Sequence, residues 1–158
     1  RSPIKTNKVV SAIEAVLEDC DLSFLDLQLD EDSDFLIANL SLSKMLLITN
    51  PTADAIKSTY LQLKQLSVLH PNCHFSLIIM DGTQSQAERA YANLQQTAQQ
   101  FLNLEITLLG ILPHDPYFLS AVQAGKTVID TFPNSTSTIA LMSMAKHLIA
   151  DIFATSNS

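Results

Sequence analysis

Short apolar runs, separated by longer amphipathic stretches, set the pattern of this chain. Lys44–Thr49 (KMLLIT), Phe75–Met80 (FSLIIM) and Glu105–Ile111 (EITLLGI) have the form of strands buried on both faces. Leu22–Leu27 (LSFLDL) reads as a further short strand, with Asp26 at its end. Between the runs the apolar positions recur at helical spacing. Ile56, Tyr60, Leu63, Leu66 and Leu69 make one face of a helix that the Asn50–Pro51–Thr52 turn starts and His70–Pro71–Asn72 stops. Asp81–Gly82–Thr83 turns into a second long helix, Gln84–Leu102.

The two ends obey the same logic. Asn7 can cap a first helix whose apolar positions are Val9, Val10, Ile13, Val16 and Leu17, and Ser33 or Asp34 can start another over Phe35–Leu42 after an acidic loop. Near the carboxyl end a Pro-His-Asp-Pro loop leads to a short helix closed by Gly125, and a Pro/Asn/Ser loop launches a last helix over Ser137–Phe153. That helix is expected to pack Ile139, Met142, Ala145, Ile149, Ile152 and Phe153 on the sheet, so that Ile149→Asp destabilises the domain severely by burying an unpaired charge. Strands alternating with helices of this length imply parallel crossovers. The fold class is α/β, a mostly parallel sheet with helices on both faces, in one domain spanning 1–158 with an ordered core over 7–153 and a tail at 154–158.

Composition narrows the chemistry. With 47% hydrophobic and 16% charged residues the chain is globular, and no apolar run approaches the ~20 residues of a membrane span. A net charge of −7 without a Lys/Arg cluster argues against direct nucleic-acid binding, which needs several phosphates neutralised. Cys20 and Cys73 lack metal-type spacing, and no charged, apolar leader opens the chain, so the expectation is a reduced, cytoplasmic protein. Three glycines leave little material for a phosphate-cradling loop.

The local motifs are weak. Gly125–Lys126–Thr127 has the ending of a P-loop, but Ser120 stands where the first glycine is required and a helix precedes the motif instead of coming after it. It reads as a helix end, with Gly125 just past the last turn. His70 and His74 straddle Pro71 in a polar turn and are not expected to hold a metal. Asp26 has two readings: a plain strand-end or capping carboxylate, or the phospho-acceptor of a receiver-like signalling domain. The acidic pair a receiver needs is missing. No catalytic residue is assigned.

The stretch from Leu108 to Thr138 carries LGILPHD, SAVQAGKTV and FPNSTST in that order. It resembles the carboxyl-terminal half of the MinD/ParA-type deviant-Walker ATPases, and within them the flagellar-number regulators (FlhG/FleN), which show LGYIPYD, an R-x-A-V-x-x-x-x-P helix and YPDSPAS. KMLLITNPTADAIKSTYLQLK is similar to that family's strand, T-P-x-P-T turn and helix, and CDLSFLDLQLDE takes the place of its switch II strand.

The resemblance implies a P-loop-NTPase-like three-layer sandwich, here lacking the P-loop unit K-G-G-x-G-K-T/S and switch I. By the same resemblance Asp26 matches the switch II aspartate, although Gln28 and Asp30 replace the glycines next to it. The adenine-contacting Asn falls near Met80, and Pro113 and Asp115 match the loop beside the adenine. The resemblance thus implies a carboxyl-terminal fragment or catalytically degenerate relative, with ATP or ADP and Mg as its ligand and Asp26, Pro113 and Asp115 as the contacts. Such a protein would act through a protein partner, and as a homodimer, in placement or number control of a flagellum- or pilus-type machine. The rival expectation is a ligand-free interaction scaffold.

Overall fold

Caps and apolar spacing decide which residues form each element. The computed structural model describes residues 3–17, 19–20, 22–26 and 44–155. Helix α1 spans Pro3–Leu17, strand β1 Lys44–Thr49, α2 Ala53–Leu69, β2 His74–Met80, α3 Gln84–Leu102, β3 Ile106–Leu112, α4 Pro116–Gln123, α5 Val128–Thr131 and α6 Thr136–Thr155.

The three strands form one parallel sheet in the order β1-β2-β3. β1 alternates, with Met45, Leu47 and Thr49 buried and Leu46 and Ile48 exposed. Helices α2 and α3 cover one face, where Leu63, Leu66, Leu94 and Ala98 meet Leu47, Phe75, Leu77 and Ile79. Helix α6 covers the other over β3, through Met144, Ala140, Leu141 and Leu148 against Leu109 and Leu112. The expected α/β architecture is therefore borne out, with helices on both sides of a parallel sheet.

The pairing of β2 with β3 slips by one residue. Leu77 faces Leu108, and Ile78 faces Gly110. Leu109 is the extra residue of a bulge, which breaks the alternation of faces along β3. As a result Leu109 packs with Met144, and a Cβ built on Gly110 would lie 2.5 Å from Met144 Cγ, so two successive positions look toward α6. Glycine at 110 lets α6 lie close to the strand.

Several expectations are corrected. Leu22–Asp26 forms no strand; Leu22, Phe24 and Leu25 are exposed and have no neighbouring strand to pair with among the described residues. The reading of Asp26 as a strand-end carboxylate loses its premise, and the receiver-like reading loses it too. Helix α1 begins at Pro3 rather than after Asn7, because proline suits a first turn whose N–H groups have no partner in any case, and Val16 is exposed rather than core. The expected helix over Phe35–Leu42 lies outside the described residues. On α6 the buried side is Ala140, Leu141, Met144 and Leu148, while Ile139, Met142 and Ile149 are exposed. A short helix, α5, occupies the stretch between Gly125 and the Pro/Asn/Ser loop.

Candidate functional site

Parallel strands deliver their connecting loops to one edge, and here three loops meet at the carboxyl edge of the sheet. They are Asn50–Thr52 after β1, Asp81–Thr83 after β2 and Pro113–Asp115 after β3. Each loop ends in the cap of the next helix. Thr52 Oγ1 accepts from the Ala55 N–H at 3.4 Å, and Asn50 Oδ1 steadies Thr52 by accepting from its N–H and its hydroxyl. Thr83 and Gln86 form a reciprocal capping box at the start of α3.

Two contacts join the loops to one another. A Cβ on Gly82 would sit 2.5 Å from Pro51 Cγ, so the first two loops touch where only glycine fits. Asp81 is held in the left-handed region at φ 59°, donates its N–H to the Leu112 carbonyl, and sets its carboxylate 3.5 Å from His114 Nδ1 in the third loop.

Asp115 is 6% exposed and works as a junction. One carboxylate oxygen accepts the Tyr117 N–H at 2.9 Å and so caps α4. The other accepts the Thr136 hydroxyl and the Ser137 N–H, both at 2.9 Å, in the first turn of α6. The Ser137 backbone N–H is the main reason its pKa falls from the ordinary 3.8 to about 2; burial opposes the shift, and the Tyr117 N–H and Thr136 hydroxyl add to it. A carboxylate with three protein donors is a positioning group for the third loop, and Pro113, two residues before it, is half-buried in the same turn.

Beside these loops lies an open cleft of about 330 Å³, lined by Ile48, Thr49, Asn50, Ala55, Ser58, Thr59, Gln62, Met80 and Asp81. Ala55, Ser58, Thr59 and Gln62 are one face of α2, brought over the ends of β1 and β2 by their helical spacing. The lining contains no Lys, Arg or His. The N-termini of α2, α3 and α4 are each closed by a side chain of their own chain. The cleft therefore offers neutral hydrogen-bonding groups, and among the described residues an anion finds neither a cation in its lining nor an open helix start around it. Among the described residues no three His, Cys, Asp or Glu side chains gather as metal ligands.

The expected site residues fall in different places. Pro113 and Asp115 sit together in the third loop, Met80 lines the cleft, and Asp26 is exposed and contributes nothing to the cleft lining. Gly125 has φ 65° and completes the C-terminal cap of α4, with the Gly125 and Lys126 N–H groups bonded back to the Val122 and Ala121 carbonyls. The helix-end reading of the Gly-Lys-Thr triplet holds. Sequence reasoning missed Ser58, Gln62 and Asp81 as residues lining the cleft; Asp81 alone has a signal, the Asp-Gly turn at the end of a buried strand, and Ser58 and Gln62 have none.

A parallel sheet with helices on both faces and its loops gathered at the carboxyl edge defines an open α/β fold of the three-layer kind. The MinD cell division protein of Aquifex aeolicus superposes with a TM-score of 0.69 at 14% identity, covering 92% of this chain and 61% of that one. The same organism's MinC:MinD cell division protein complex gives 0.67 at 14% identity over 92% and 59%. In sequence, the antiactivator FleN of Pseudomonas aeruginosa is 20% identical over 146 residues, 92% of this chain and 52% of FleN. No protein-family model matches the chain. The chain thus resembles MinD in fold and FleN in sequence, and it spans about half the length of FleN.

Proposed function

We propose that this chain is a regulatory domain of the MinD/ParA type that does not hydrolyse nucleotide by itself and acts by contact with a protein partner. Its role would lie in the placement or number control of a flagellum- or pilus-type machine. The observation that carries this reading is the similarity to FleN, named an antiactivator, along nearly the whole chain. The partner element is supported by a relative found in complex with MinC, and by apolar side chains left in solvent on β1 (Leu46, Ile48) and α6 (Ile139, Met142, Ile149). A second copy of the chain is a candidate for that partner.

ATP or ADP is the ligand the fold suggests, seated at the carboxyl edge where Asp115 fixes the third loop and Pro113 shapes it. Asp26 remains a proposed contact on the strength of its sequence match alone. The test is a thermal melt with and without millimolar Mg-ATP and Mg-ADP, together with a phosphate-release assay. A ligand at about 100 times its dissociation constant adds ~2.7 kcal/mol, which is a readable shift. A raised midpoint without phosphate release is the expected result. Hydrolysis by the chain alone would refute the degenerate reading, and an unmoved midpoint would leave a ligand-free interaction scaffold.

A further inference from the structure

Strand β1 ends the sheet, and among the described residues its backbone has no partner along the outer edge. Edges of this kind are ordinarily blunted by charges, prolines or bulges. β1 (KMLLIT) has no proline and pairs with β2 in unbroken register, and its one charge, Lys44, is turned to Asp151 of α6 at 3.2 Å. Leu46 and Ile48 stand in solvent on the face opposite α2 and α3, with Ile48 60% exposed.

The same chain holds a second unsatisfied stretch. Leu22–Asp26 (LSFLD) is exposed at all five positions, Phe24 by 71%, and it pairs with no strand among the described residues. Laid antiparallel along the outer edge of β1, with Phe24 opposite Leu46, this stretch matches the strand residue for residue. On one side of the sheet Leu22 then faces Ile48, Phe24 faces Leu46 and Asp26 faces Lys44; on the other Leu25 meets Met45 and Ser23 meets Leu47. The two exposed apolar side chains of β1 gain apolar neighbours, and the carboxylate falls beside an ammonium that has donors left after Asp151. A parallel alignment would set Asp26 against Ile48, at the end of the strand where Asp81 lines the same cleft. Charge therefore chooses the antiparallel direction.

We infer that the outer edge of β1 binds the Leu22–Asp26 stretch of a second copy of this chain, reciprocally, so that two added strands close a two-fold dimer. Within one chain the two stretches stay apart, each in solvent, which makes the second copy the occupant. The inference rests on the partner-binding reading above, names a second copy as that partner, and needs no nucleotide.

The experiment is sedimentation of the whole chain without nucleotide from about 1 to 100 μM, for the parent and for Phe24→Asp, with a thermal melt of each. Phe24 is exposed in the single chain, so its variant keeps the fold. A parent dimer is expected, and Phe24→Asp should raise its dissociation constant by about a hundredfold or more, because a charge enters each of two apolar contacts. Cys20 is exposed, so cross-linking is done in a Cys20→Ser background. There, Leu22→Cys and Ile48→Cys chains, mixed and oxidised, should join to each other, as opposed positions on neighbouring strands can, whereas Asp26→Cys and Ile48→Cys chains should not. A monomeric parent would overturn the inference, and so would a dimer that Phe24→Asp leaves intact, or a mixture in which Asp26→Cys joins Ile48→Cys instead. A chain carrying both Leu22→Cys and Ile48→Cys that closes on itself as a monomer would overturn it too, by making the occupant its own segment. None of these results removes the regulatory reading, which stands or falls by the count and placement of flagella and pili.

Discussion

Gly110 is where the packing of the sheet and the geometry of the site depend on each other most closely. A Cβ there would lie 2.5 Å from Met144 Cγ, 2.9 Å from Sδ and 3.0 Å from Cε, against the ~3.5–4.0 Å of a relaxed contact. The first of these atoms is near the Met144 backbone, so the side chain cannot simply swing its tip aside, and Met144 is 5% exposed. Overpacking of this kind costs about 1–3 kcal/mol. Replacing glycine where its backbone does not need a left-handed conformation returns about 0.4–1 kcal/mol through the unfolded chain. Gly110→Ala should therefore destabilise by about 1–2 kcal/mol, roughly 2–6 °C in the midpoint for a chain of this size. Met144→Ala alone should cost about 2–5 kcal/mol as a cavity. In the Met144→Ala background the clash has gone, and Gly110→Ala should become neutral or slightly stabilising. The assay is urea unfolding followed by circular dichroism on all four members of the cycle, at constant m. If Gly110→Ala costs the same in both backgrounds to within ~0.5 kcal/mol, the packing account of α6 is wrong.

Other outcomes rest on the same contacts. Asp115 ionises more readily in the fold than in the unfolded chain, so its contribution is fully present above the ordinary 3.8 and is lost as pH falls toward about 2. Asp115→Asn should lower the melting temperature at neutral pH and flatten the acid limb of the stability curve over that interval; an unchanged limb would show that another group controls it. For the same reason an Asp115 variant cannot be read as a ligand-contact test without a melt beside it. On α6, Ile149→Asp should stay within about 0.5 kcal/mol of the parent because Ile149 is 48% exposed, whereas Leu148→Asp should cost roughly 3 kcal/mol or more by pressing a charge into the Met144 cluster. The opposite order in thermal melts would mean that the helix is rotated from the orientation described.

How much of this is legible in the chain itself differs from element to element. Helices α2 and α3 are legible to within a residue because their caps, Thr52 and Thr83, stand beside clear apolar periodicity and sharp stops. The faces of α6 are not. Ile139, Ala140, Leu141, Met142, Met144, Leu148 and Ile149 put apolar side chains all around it, so periodicity cannot choose the buried side, and the bulge at Leu109 makes that choice through Gly110. Leu22–Asp26 has the composition of a strand without a partner to pair with among the described residues, which is a tertiary condition and not a local one.

At the site, the Pro-His-Asp-Pro loop can be placed after β3 from the sequence. The closure of Asp115 on Ser137, 22 positions further on, cannot, because it depends on how α6 docks. The cleft is hidden for the same reason: Ser58 and Gln62 are ordinary polar residues of a helix until the parallel crossover swings them over the ends of β1 and β2.

The most direct measurement of the central claim is made in the source organism. Its gene for this chain would be deleted, and flagella and pili per cell counted with their positions by electron microscopy, with re-expression of the intact gene as control. The account predicts an altered number or placement that re-expression restores. Normal counts at normal positions, with protein confirmed absent, would contradict it.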